Sequence, residues 1–223
     1  MSMGDGLPEL VVRKADGADL PALVDLHIAN VGSDEFSMLL GRRFITSFYR
    51  LCLSHQQSDV TVLCMGERII GVAMHWRDHY GISRDYRRQI LLPLGWYLVG
   101  KVLTLQWPLV RRIVAYSLAG ETYRIPADVA PFCMEMTILD QSARTDVRKV
   151  TTFFRMFSDS VERLRQAGNG ALWASAQSTN RNSMRMIEAI IKPTEKHVLR
   201  RQPTEVTCFI SRRPDLLPPV AGP

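Results

Sequence analysis

The chain has 223 residues, 46% of them apolar and 22% charged, and a net charge of +6 from 28 Lys+Arg against 22 Asp+Glu. These proportions exclude a disordered or fibrous chain and allow a sizeable core without disulfide staples. The basic balance, with a sequence pI near 9.4, favours anionic partners; with no dense basic tract, no nucleic-acid partner is expected.

Leu10–Arg13 reads as a short strand, and Asp16 to Asn30 then takes helical spacing, with Leu20, Leu23, Val24, His27 and Ile28 on one face. Asp19 is placed to cap that helix, and Pro21 falls in its first turn, where a missing N–H costs nothing. A second helix is expected over Ser37–Leu53, striped by Leu40, Phe44, Ile45, Phe48 and Leu51. Val60–Met65 and Ile69–Trp76 flank Gly66-Glu67-Arg68, the pattern of an antiparallel hairpin.

Beyond a long middle segment, Phe132–Leu139 is a strand, followed by a helix across Val150–Ala167 that buries Phe153, Phe154, Phe157, Val161 and Leu164. Gly168-Asn169-Gly170 ends it. Ala171–Ala176 is a strand, Asn182–Ile191 a helix stopped near Pro193, and Lys196–Arg201 and Glu205–Arg212 are the closing strands. Pro214–Pro223 reads as a loose tail. The order β-α-α-β-β, insertion, β-α-β-α-β-β predicts an α/β fold: one mixed, partly antiparallel sheet with helices on both faces. A parallel pair within residues 132–176 needs a helical crossover, which Val150–Ala167 supplies. The expected organisation is one domain over residues 9–213 with a helical insertion at about 79–128.

The insertion carries a single charge, Lys101, between Ile90 and Val110. Its length approaches a membrane span, but Lys101, Gln106, two prolines and two glycines argue against one. Two short helices broken near Thr104–Pro108 are expected, packed on the sheet. Their role is open between a lid over an acceptor or acyl pocket, a homodimer patch, and an interfacial membrane anchor flanked by Arg87, Arg88, Arg111 and Arg112.

Cys52, Cys64, Cys133 and Cys208 lie scattered in apolar stretches, so buried reduced thiols are expected. Met1–Pro8 lacks the basic start and apolar run of a signal peptide, which predicts a cytoplasmic protein. His75 and His79 lie four apart on an expected strand with no third ligand in view, so no metal site is expected. Glu135 is the lone carboxylate of the apolar run Cys133-Met134-Glu135-Met136-Thr137. Partly buried, it would gain proton affinity and suit a general base; alternatively it pairs with an arginine of the insertion.

The segment Ala176-Gln177-Ser178-Thr179-Asn180-Arg181-Asn182-Ser183-Met184-Arg185-Met186 resembles the strand–Asn–helix pattern of the GNAT N-acyltransferase superfamily. The element order over about Leu10–Arg212, the insertion apart, resembles that family too. The resemblance implies a transferase moving an acetyl or other acyl group from acyl-coenzyme A to a small amine, without a metal. It also implies that Asn180 and Ser183 help hold the acyl-coenzyme A, unless Asn180 is an ordinary helix cap. The family's glycine-rich pyrophosphate loop corresponds to Arg144-Thr145-Asp146-Val147-Arg148-Lys149, next to Thr137 and Leu139 of the preceding strand. Val147 and Lys149 stand where glycines belong. Arg144, Arg148 and Lys149 either replace those glycines with direct contacts to phosphate or form a solvated basic loop. Ile187 stands where many members carry a tyrosine acid. Two other readings stay open: a non-catalytic GNAT-like binding or scaffold domain, and a transferase using a longer acyl donor.

Overall fold

The computed structural model describes residues 8–33, 35–104, 106–118, 123–200 and 204–216. Expectations for residues 1–7, for Arg201 and for the tail from 217 onward fall outside these. Seven strands form one sheet: β1 (Leu10–Lys14), β2 (Ser58–Met65), β3 (Arg68–Trp76), β4 (Cys133–Leu139), β5 (Ala171–Gln177), β6 (Glu195–Arg200) and β7 (Val206–Arg212). Their spatial order is β1-β2-β3-β4-β5-β7-β6. Every neighbouring pair is antiparallel except β4–β5.

Period-two alternation divides the strands between two cores. Val62, Val72, Met74, Cys133, Trp173 and Cys208 face a core shared with α1 (Leu20–Asn30) and α3 (Arg42–Ser54). Leu63, Ala73, Met134, Leu172, Ala174 and Phe209 face the opposite one, built on α6 (Val147–Ala167) and α7 (Arg181–Ile191). From α6, Phe153, Met156, Phe157, Val161 and Leu164 are buried there, each worth roughly 1.5–3 kcal/mol relative to exposure. The β2–β3 hairpin turns through Gly66 and Glu67, with Gly66 at φ +59. A two-residue loop needs positive φ at this first central position.

Three expectations are corrected. The helix anticipated over Ser37–Leu53 is two, because Gly41 at φ +81 separates α2 (Phe36–Leu40) from α3. Only glycine accepts that backbone cheaply. Second, α6 begins at Val147 rather than Val150, so Val147, Arg148 and Lys149 form its first turn and are not a loop. Phe154, expected inside, lies on the exposed side of α6. Third, the insertion forms one long helix, α4 (His79–Leu103), and a shorter one, α5 (Trp107–Leu118). Pro93 lies inside α4 without ending it. The break falls where expected, with Pro108 in the first turn of α5.

The insertion also packs elsewhere than expected. Of its two helices only the first turns of α4, through Ile82 and Tyr86, reach the sheet-facing core, joined by Tyr123 and Ile125 from the end of the insertion. Leu94, Tyr97, Leu98, Leu109 and Ile113 instead close a third cluster with Leu39, Leu40 and Phe44 of α2 and α3. Among the described residues no helix is long and apolar enough to cross a membrane.

Candidate active site

Two irregularities of β4 open a cleft in the middle of the sheet. Its parallel pairing with β5 covers only Cys133↔Trp173 and Met134↔Ala174. Past those pairs the strands part, leaving the β5-side edge of β4 beyond Met134 without a paired strand. The other irregularity is a bulge against β3: Met136 pairs with Met74 and Met134 with His75, leaving Glu135 without an opposite residue. A bulge re-aims the side chain it carries. Glu135 shares the face of Cys133, whose thiol donates to its carboxylate at 3.7 Å.

Glu135 is part-buried, yet desolvation governs its carboxyl and raises its pKa to about 7, against a small opposing contribution from the Cys133 hydrogen bond. Among the described residues, the arginines of the insertion form no ion pair with it. His79 instead comes within reach. Its backbone N–H donates to Pro131 O at 3.0 Å, and its ring lies between Trp76 and Trp173, with centroids 5.5 and 5.0 Å away. Burial lowers the His79 pKa to about 4, so the ring is neutral at neutral pH, and its Nδ1 is buried without a hydrogen-bond partner among the described residues. Burial, then the Glu135 charge, pushes the Cys133 thiol well above its usual range. Ligand-type atoms of His79, Cys133 and Glu135 all lie within 4.8 Å of one another. Packing rather than sequence spacing thus brings His79 beside Cys133 and Glu135 of β4.

The expected cofactor residues lie at the C-terminal ends of β4 and β5 and in the segments that follow them. Arg144 is exposed and its Nε donates to Leu139 O at 3.2 Å. Asp146 caps α6, accepting from the N–H groups of Arg148 (3.0 Å) and Lys149 (3.2 Å), and its carboxylate lies 3.3 Å from Lys149 Nζ. Those bonds to Lys149 and Arg148 hold its pKa below the usual carboxylate range. A side-chain carboxylate therefore occupies the helix-terminal donors that an anionic ligand would use. Thr145 is exposed, Thr137 and Leu139 are part-buried, and Val147 is 80% exposed, a hydrophobic side chain beside the cap. Across the gap Asn180 caps α7, its Oδ1 accepting from Ser183 N at 3.2 Å. Ile187, in the tyrosine position, is a core residue.

Sequence reasoning misses the segment closing the mouth of the cleft. Asn30 at the end of α1 accepts from Gln141 N at 2.7 Å beyond β4, and Glu35 accepts from Gln177 Nε2 at the end of β5. Asn30 is thus tied to the segment after β4 and Glu35 to the end of β5. A carboxylate just ahead of the expected second helix is the only sequence signal.

Neither a protein-family model nor a curated protein sequence matches the chain. Solved structures do. A GNAT-family protein from Desulfovibrio desulfuricans aligns with a TM-score of 0.54 over 91% of this chain and 98% of its own, at 9% identity. The Drosophila melanogaster polyamine N-acetyltransferase, which catalyses the formation of N-acetylagmatine, aligns at 0.50 over 91% and 99%, with 13% identity. The chain has the GNAT fold.

Proposed function

We propose that the chain transfers an acyl group from acyl-coenzyme A to a small amine in the β4–β5 cleft, with Glu135 as general base. The observation that carries this reading is Glu135 itself: a part-buried carboxyl with a pKa near 7, on a bulge where the sheet parts. Such a group can take the proton of an ammonium at neutral pH, directly or through water. The freed amine attacks the thioester carbonyl while main-chain N–H groups at the parted strands stabilise the oxyanion. The C–N bond forms, the C–S bond breaks, and coenzyme A leaves as thiolate, which takes up the second proton shed by the nitrogen as the neutral amide forms. A free thiol pKa of about 8.5 makes that departure feasible with Ile187 in the tyrosine position. Glu35 at the mouth supports a cationic acceptor, and the Drosophila enzyme of the same fold acts on an amine. The four free cysteines fit a reducing, cytoplasmic setting.

On this reading Arg144, Arg148 and Lys149 bind the pyrophosphate by charge, with Thr145 and Val147 beside it. Asn180, Ser183, Thr137 and Leu139 line the rest of the donor. Replacing both Arg144 and Arg148 with alanine should weaken acetyl-coenzyme A binding roughly ten- to hundredfold in calorimetry, and binding should fall with added salt. Absence of any binding by the parent protein would refute the transferase reading. Comparison with longer acyl-coenzyme A donors reports the acyl length.

A second reading, a non-catalytic GNAT-like binding domain, is favoured by one observation: Asp146 already satisfies the donors at the start of α6. The two readings part at Asp146→Asn, which keeps a capping side chain but removes the negative charge. A transferase should then bind acetyl-coenzyme A about two- to fivefold more tightly. A domain with no donor site should show no change by calorimetry.

A further inference from the structure

The α4–α5 pair is apolar on two opposite sides. Leu94, Tyr97 and Leu98 face the cluster with α2 and α3. At 3.6 residues per turn, Trp96, Val99 and Leu103 fall on the opposite side of the same helix, and Trp107 opens α5 beyond the break. They are 72%, 49%, 77% and 52% exposed respectively. A helix covering one apolar face normally turns a polar one outward. Here the outward face of α4 carries a tryptophan, a valine and a leucine, and α5 starts on a second exposed tryptophan.

Charge selects what covers it. Arg88 precedes these residues on α4, Arg111 and Arg112 follow on α5, and all three are exposed. No Asp or Glu occurs between Tyr86 and Leu118. Beside Trp96 opens a groove of about 740 Å³ whose lining includes Arg42 and Arg43 and no carboxylate. Self-association through this face would be two-fold, setting one copy's arginines against the other's. An anionic, apolar-cored surface matches both the exposed apolar residues and their flanks. Tryptophan suits the boundary between headgroups and acyl chains.

We propose that the outer face of α4–α5 docks the protein on the surface of an anionic lipid bilayer, with Trp96, Val99, Leu103 and Trp107 entering the headgroup region. This does not depend on the transferase reading. The face lies on the insertion, apart from Glu135 and Arg144. Docked this way the helices lie in the interface without spanning it.

The test is co-sedimentation of the full chain with vesicles of phosphatidylcholine, alone or mixed with phosphatidylglycerol. The protein should pellet with the mixed vesicles at low salt and bind about tenfold less to neutral vesicles or at high salt. Trp96→Ser with Leu103→Ser, and separately Arg111→Gln with Arg112→Gln, should each reduce binding about tenfold or more. Thermal melts matching the parent would show that these exposed substitutions leave the fold intact. Equal binding to neutral and anionic vesicles overturns the proposal. So does a concentration-dependent dimer, dispersed by the serine pair, in a protein that ignores vesicles.

Discussion

Glu135→Gln should lower turnover on an accepted amine by about 10²–10⁴-fold while acyl-coenzyme A binding stays intact. Glutamine keeps the shape and one acceptor but cannot hold the proton. In the parent protein kcat/KM should rise with pH and level off above about 7, as Glu135 loses its proton. The residual activity of the variant should lack that limb. A parent-like rate in the variant across the same range would remove Glu135 from the mechanism.

The same carboxyl should leave a mark on stability. Its folded pKa of about 7 stands above the ordinary 4.5. Between those values the folded chain holds a proton that the unfolded chain has released. Its contribution is therefore present at low pH and lost as pH climbs to 7, about 3 kcal/mol in all. Glu135→Gln should melt above the parent in mildly alkaline buffer, and the two should converge in acid. A variant both more stable and less active is the trade expected of a strained functional group.

Glu135 stands out in the sequence as the lone carboxylate of an apolar strand. What surrounds it does not. The bulge depends on register against β3, and the parting of β4 from β5 depends on where parallel pairing stops; both are relations between distant segments. His79 and Glu35 reach the cleft from outside β4 and β5, and no spacing rule links them to Glu135. The strand alternation, by contrast, is local: Val62, Leu63 and Cys64 alternate between the two cores.

The helix boundaries depart from expectation for two different reasons. Leu40 and Phe44 keep helical spacing on either side of Gly41, so the apolar stripe hides a break that depends on backbone conformation. At α6 the signal is in the sequence: Asp146 ahead of a helix-compatible run is an N-cap signature. That local signature prevails over the loop that the family's glycines imply, because Val147 and Lys149 are content in a helix. The insertion departs on energetics. So apolar a segment is expected to bury itself, yet α2 and α3 cover only one side of α4.

Acid should unfold the protein, and His27 should account for a measurable share of that loss. Burial lowers the His27 pKa to about 4 from 6.5, with the ring held between Tyr49 Oη at 3.2 Å and Ser37 Oγ at 2.9 Å. His79 is lowered to about 4 by burial and then by Arg87. Burial lowers His75 as well, against Asp59 at 3.6 Å, which pulls it upward. For each of these bases the unfolded chain binds a proton that the folded chain refuses. Stability is thus present above about 6.5 and lost as pH falls toward 4. The loss is about 3 kcal/mol for His27 alone, against a whole-domain stability of ~5–15 kcal/mol. Glu135 works in the opposite direction over nearly the same window and offsets about one histidine, leaving a net loss on acidification. His27→Gln retains a donor for one neighbour and an acceptor for the other without a group that must charge. Melts followed by circular dichroism from neutral to mildly acidic pH should show a steep fall for the parent. The fall should be shallower for the variant, by roughly 6–12 °C at the acid end. Parallel curves would mean that His27 stays protonated in the folded chain and that its burial is not what makes the protein acid-labile.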